Sequence, residues 1–174
     1  MAVNYGLGGF QSEFAFGAVA ILASQTITIT TQNVYVDMVG AKFQPSVLGN
    51  NTAGIFSNAY HQVDFVDSGM LEVKTSGVYL ITYNITTSDP SNKTLSIRIV
   101  KRKTSGVIVE LGGIQKIYCR SGDQFETGSN CLAFLESGDS IYTQVSNTDG
   151  TQNITITSLN VSIVKLNYSG SINS

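Results

Sequence analysis

A chain of 174 residues suits one domain around a single core, with roughly 70% of the unfolded surface buried on folding. Charged residues make up only 13% and the formal net charge is −2, which excludes the basic field that nucleic acid or an anionic membrane requires. Two cysteines and one histidine exclude a disulfide framework and a four-ligand zinc site.

Residues 1–14 are rich in glycine and aromatics (Tyr5, Phe10, Phe14) without a clear period, and read as an extended arm. Residues 15–23 form the one long apolar run, far too short to span a membrane. Its length suits a signal-peptide core, but Glu13 precedes it and the first basic residue is Lys42. The run therefore reads as a buried strand or part of a docking arm. Residues 1–24 are expected to act as that arm, with Phe10, Phe14 and Phe16 as the docking side chains.

Residues 26–30 and 34–38 alternate and are β-branched, as strands do. Residues 40–62 hold Pro45, Asn50, Asn51 and Gly54 and read as a long connection with at most one short strand. Strands are expected over 63–66 and 70–74, split by a turn at Asp67, Ser68 and Gly69. Residues 78–87 give the clearest strand signal, and Asp89 to Asn92 turn the chain.

Strands over 95–101 and 107–111 follow, with Gly112 and Gly113 ending the second and 114–119 starting another. The polar stretch 120–130 reads as a hairpin loop between Cys119 and Cys131. A disulfide there would contribute about 3 kcal/mol. Two free thiols on neighbouring strands are the alternative, and the redox compartment decides between them. Strands over 131–135, 140–146 and 153–166 complete the chain before a polar tail, 167–174. About ten short strands and no helical pattern predict an all-β, two-sheet antiparallel sandwich or jelly roll over residues 25–166.

The faces of these strands carry a second signal. In residues 78–85, Tyr79, Ile81, Tyr83 and Ile85 form one face and Val78, Leu80, Thr82 and Asn84 the other. The first is a core face; the second is too apolar for a purely wet one. Near the following turn, Leu132 and Phe134 oppose Cys131, Ala133 and Leu135, and both faces are again apolar. Antiparallel strands apolar on both sides are usually covered on both sides, which predicts a neighbouring subunit over one face.

Three stretches carry a likeness to a known superfamily. Residues 71–83 are a short strand, a glycine turn and an aromatic-rich strand; 132–142 place Gly138-Asp139 between two strands; 154–166 form the closing strand. In this order they resemble the jelly-roll superfamily of tumour necrosis factor and the globular head of complement, across roughly residues 63–166. A closer likeness is to phage virion domains of the same shape, found in fibres and head decorations. The resemblance implies a threefold homotrimer with one sheet packed around the axis. Val78, Leu80, Thr82, Phe134 and Tyr142 are the expected interface residues. Neither the collagen stalk of the complement relatives nor the membrane anchor of the cytokines is seen.

Chemistry is hard to find. His61 would have to serve any Ser-His-Asp or Cys-His site, yet it lies beside a loop without a nucleophile motif. The glycine clusters at 6–9 and 112–113 lack the Gly-Lys-Ser/Thr of a phosphate loop. Glu136 and Asp139 read as turn residues. Asp64 with Asp67, or Asp149 with Asn147 and Asn153, could offer oxygens to calcium, but no metal or cofactor is expected. Lys101, Arg102 and Lys103 form a basic run at a hairpin tip, read as a solvated turn or a contact for an anionic sugar. Asn84, Asn92, Asn153 and Asn160 begin glycosylation sequons, which chance explains in a chain of this composition.

The expected function is that of a non-enzymatic virion structural protein. It would be a homotrimeric capsid decoration or fibre module on the virion surface. Its N-terminal arm would hold the major capsid protein or another virion protein, and its outward loops, 101–106 and 147–152, would adhere to host glycans. The alternative is a secreted lectin-like trimer on a bacterial cell surface or spore coat. Neither nucleic acid nor membrane insertion enters either reading.

Overall fold

A computed structural model describes residues 15–21, 23–39, 43–45, 62–66, 69–88 and 91–166. The described residues form twelve strands and no helix, so no helix is long and apolar enough to cross a membrane. The strands are β1 (Phe16–Ile21), β2 (Gln25–Ile27), β3 (Val36–Asp37), β4 (Phe43–Pro45), β5 (Val63–Val66) and β6 (Met70–Val73), then β7 (Gly77–Ser88), β8 (Lys93–Arg102), β9 (Ile108–Cys119), β10 (Gln124–Leu135), β11 (Ser140–Asn147) and β12 (Ile154–Lys165).

They make two antiparallel sheets. The front sheet runs β10-β7-β12-β1-β4, with β2 pairing β12 beyond the end of β1. The back sheet runs β5-β6-β11-β8-β9, with β3 pairing β11 beyond β6. The chain crosses between the sheets from β6 to β7, β7 to β8, β9 to β10, β10 to β11 and β11 to β12, the wiring of a jelly roll. The core lies between them. Tyr79, Ile81, Tyr83 and Ile85 of β7 meet Leu95, Ile97 and Ile99 of β8 and Leu159, Val161 and Ile163 of β12, all at most 2% exposed.

In β12 the inward residues switch from Ile154 and Ile156 to Leu159, Val161 and Ile163. A bulge between Ile156 and Ser158 explains the change, because one extra residue reverses the side on which each later side chain falls.

Three sequence expectations change. Of the two readings of the apolar run, the buried strand stands and the arm does not: β1 pairs with β12 on one side and β4 on the other, and Val19 and Ile21 reach the core. The expected boundary after residue 24 thus falls inside the sheet, while residues 1–14 and the tail 167–174 lie outside the described residues. Gly112 and Gly113 do not end a strand. They sit in a bulge of one continuous β9, where the pairing moves from Ile97↔Gln115 to Ile99↔Leu111 and Gly112 adopts φ +69°. The polar stretch 120–130 is mostly strand as well. Only residues 120–123 turn, and β10 pairs residue by residue with β7 from Gln124↔Ser88 to Leu135↔Gly77. Its polar residues mislead because β10 is an edge strand, with Phe125 inward and Glu126, Gly128 and Asn130 outward.

Candidate functional site: the outward face of the front sheet

On β7, Val78, Leu80, Thr82 and Asn84 point away from the core, as alternation requires. Leu80 stands between Leu132 of β10 and Val164 of β12. Val78 stands beside Phe134, and its carbonyl accepts the Leu166 N–H at 2.8 Å. Two cross-strand rows result, Leu132–Leu80–Val164 and Phe134–Val78–Leu166. The six side chains are 37–63% exposed. Isolated surface hydrophobes are ordinary, but a contiguous patch of this kind makes the face a candidate interaction surface.

The face is graded along its strands. Beyond the apolar rows come Asn130–Thr82–Ser162 and then Gly128–Asn84–Asn160. A Cβ on Gly128 would lie 2.0 Å from Asn84 Oδ1, so the Asn84 side chain occupies the space that a larger residue at 128 would need.

The expected interface residues divide. Val78, Leu80, Thr82 and Phe134 share this face, with Thr82 half-buried at the edge of the apolar rows. Tyr142 does not join them. It is fully buried on the back sheet, packed with Met70, Val100, Val39 and Val66, and Arg102 lies over its ring at 5.2 Å. The separation follows from the wiring, since β10 and β11 are consecutive in the chain but belong to opposite sheets. Sequence marks Leu132 only as part of an apolar face of its own strand, and gives no role to Val164 or Leu166. Their signal, apolar residues at alternate positions in both β10 and β12, identifies a face only once the register is known.

Of the expected docking residues, Phe10 and Phe14 lie outside the described residues, as does His61. Phe16 opens β1 opposite Val164, half-buried on the same outward face as the apolar rows.

Neither cysteine takes part in a disulfide, and their placement on the strands holds them apart. Cys119 is buried at the end of β9, near Thr87 Oγ1 at 3.5 Å. Cys131 lies seven residues into β10, roughly 20 Å along the strand from its start. There it faces the Gly112 bulge, where an added Cβ would fall 2.9 Å from its own. Burial pushes the Cys131 thiol above its ordinary value.

The basic run is neutralised locally. Lys101 Nζ lies 3.3 Å from the buried Asp139 carboxylate and donates to the Phe134 carbonyl at 3.0 Å. Arg102 pairs with Asp37 at 3.2 Å, and Lys103 approaches Glu136 at 4.0 Å. Asp139 also accepts the Glu136 N–H at 3.0 Å, so both acids serve the turn. The run is therefore not a free anion contact.

The loop over 147–152 uses its oxygens internally. Asp149 accepts the Thr94 N–H at 2.6 Å, Asn147 Oδ1 accepts the Asp149 N–H at 3.0 Å, and Asn153 accepts the Ile29 N–H at 3.2 Å. Among the described residues, no group of three or more His, Cys, Asp or Glu is placed to hold a metal ion. Residues 101–106 and 147–152, both expected to face outward, lie at opposite ends of the sandwich. β8 and β11 pair Ser140 with Arg102 at one end and Asn147 with Leu95 at the other.

No protein-family model matches the sequence, and no curated protein sequence matches it. Solved structures do match in shape. The Eiger tumour necrosis factor of S. frugiperda superposes with a TM-score of 0.59 at 17% identity, over 92% of this chain and 98% of that one. Murine APRIL at pH 5.0 gives a TM-score of 0.59 at 15% identity, over 88% and 99%. The chain therefore has the two-sheet jelly-roll fold that these proteins share.

Proposed function

We propose that the chain is a non-enzymatic structural module. It assembles as a homotrimer through the outward face of the front sheet and is displayed on the outside of a larger particle. The carrying observation is the pair of apolar rows, Leu132–Leu80–Val164 and Phe134–Val78–Leu166, open to solvent in a single chain. A molecule with 13% charged residues has few charges with which to keep such a face apart from its copies. Three copies rather than two follow from the sequence likeness to trimeric jelly rolls, and the shared fold supports that reading.

The setting we favour is a virion surface, as a capsid decoration or fibre module, with the N-terminal segment holding the particle and the far end adhering to host glycans. It rests on the order of strands and turns that resembles phage virion domains. Light scattering tests the assembly: a solution mass of three chains is expected, and a single-chain mass at micromolar concentration removes the proposal. Mass spectrometry of purified particles tests the setting, and absence of the chain from them refutes it.

A further inference from the structure

Most surface cations among the described residues are already paired. Lys74 pairs with Asp64 at 2.8 Å and also with Glu72, Arg98 with Glu110 at 3.0 Å, and the 101–103 run with Asp139, Asp37 and Glu136. Lys93 is buried and donates to the Asn153 carbonyl at 2.6 Å. Two cations stand apart. Lys116 and Arg120 are exposed and have no carboxylate within ion-pair distance among the described residues.

These two flank Tyr118. Lys116 and Tyr118 occupy successive outward positions on edge strand β9, about 7 Å apart, and exposed Arg120 follows where the strand gives way to the 120–123 turn. Tyr118 is 54% exposed, so more than half of its surface is open to solvent. Tyr118 stands opposite Thr94 of β8, whose N–H is held by Asp149 at 2.6 Å, and Lys116 stands opposite Ser96. An open ring, two unpaired cations and a fixed carboxylate thus share one corner of the back sheet.

The corner lies at the far end of the molecule. Ala15, which accepts the Lys165 N–H at 2.7 Å, and Leu166, which donates to Val78, mark where both described chain ends leave the front sheet. That is the end of the 136–139 turn, because Leu135 pairs with Gly77 there. The 120–123 turn is at the opposite end, where Gln124 pairs with Ser88. A copy attached through either end would present this corner outward.

We infer that Lys116, Tyr118 and Arg120 form a binding site for a carboxylate-bearing sugar ring. This rests on the display reading above and names the ligand class for its adhesive end. The ring stacks on the apolar face of Tyr118. Its carboxylate takes the charge-assisted bonds of Arg120, whose planar fork can bind it through two parallel bonds, while Lys116 on the other side of the ring adds attractive charge. Its hydroxyls donate toward Asp149. The same carboxylate repels a ligand that carries several negative charges, which selects a singly charged polyol over an acidic peptide.

Calorimetric or NMR titration of the whole chain tests this, with the methyl glycosides of N-acetylneuraminic acid and glucuronic acid as probes. Methyl galactoside is the neutral control and a hexaglutamate peptide the polyanionic one. At least one acidic glycoside is expected to bind ten or more times tighter than either control, and more weakly as salt rises. Tyr118→Ala and the pair Lys116→Gln with Arg120→Gln should each lose tenfold or more, whereas Tyr118→Phe keeps the stacking ring and should bind as wild type. Absence of binding to both acidic probes, equal binding of a control, or unchanged affinity in the depleted variants overturns the site. Each site lies within one chain, so the Leu80→Asp variant should bind with the same constant per chain. Acidic-glycoside binding by a chain that is monomeric in solution would sink the trimer and leave this site standing.

Discussion

Leu80 and Leu132 stand directly opposite one another on β7 and β10, and both side chains point to solvent. Buried pairs in that register would be ordinary sheet packing. Exposed, with Val164 completing the row, they give the front sheet a contiguous apolar surface, the one the proposed assembly would cover.

Replacing Leu80 by Asp tests that surface. The single chain leaves Leu80 37% exposed, so a carboxylate there can hydrate and the subunit should keep its fold. In a contact between copies, the same carboxylate would be buried without a counter-charge, at a cost of several kcal/mol. The expected outcome is an unchanged circular dichroism spectrum with the mass falling from three chains to one. Retention of the full mass removes Leu80 from the contact.

At the open edge of the sandwich, Gly112 brings β9 against β10. Alanine there meets a backbone at φ +69° and places its Cβ 2.9 Å from that of Cys131. The left-handed backbone alone costs about 1–2 kcal/mol. Gly112→Ala should therefore lose about 2 kcal/mol or more in urea unfolding. Adding Cys131→Ala should not restore it, because the close contact is with the Cβ and not the sulfur. A neutral Gly112→Ala would mean that the bulge is not needed to close the edge.

Tyr83 supplies a pH signature. Its side chain is 1% exposed and its hydroxyl has no hydrogen-bond partner among the described residues. Burial, with a smaller contribution from Cys131, pushes its pKa up to about 12 from 10.0. The folded state then holds a proton that the unfolded chain releases above pH 10, so stability is intact below pH 10 and falls as pH rises toward 12. The slope is about 1.4 kcal/mol per pH unit. Tyr83→Phe should flatten that alkaline fall. At pH 7 it should be neutral or stabilising, since it removes an unpaired buried hydroxyl. Denaturant titrations at pH 7 and pH 11 check both; an equal alkaline fall in the variant would contradict the assignment.

The thiols report on the edge and the core separately. Cys131, half-buried at the edge, should react slowly with a thiol reagent in the native protein, and Cys119, fully buried, only after unfolding. Diamide treatment should yield no intramolecular Cys119–Cys131 bridge by peptide mapping. Finding that bridge in a chain with native stability would overturn the placement of β10.

The strongest strands were legible because their chemistry is local. Residues 78–87, 95–101 and 140–146 alternate with period two, and β7, β8 and β11 cover them within two residues at each end. The turn around Gly138 and Asp139 was legible for the same reason: a glycine at φ +90° and a carboxylate closing on the Glu136 N–H. The first half of β10 was not. Its residues 124–130 look like a loop, and only pairing with β7 holds them extended. The Gly112-Gly113 break failed likewise, because glycines that interrupt a strand and glycines that bulge it have the same composition.

From residue types and their alternation alone came the all-β class, the two-sheet architecture and the surplus apolar face of β7. Side-chain period is a property of the backbone and needs no partner to be read. Tertiary structure decided which strands lie side by side. It joined Leu132 and Val164 to Leu80, sent Tyr142 into the opposite layer, separated the two cysteines, neutralised the 101–103 run and left Lys116, Tyr118 and Arg120 together and open. Strand neighbours in a jelly roll are distant in sequence, so register and ion pairing are set by long-range contacts that no local pattern encodes.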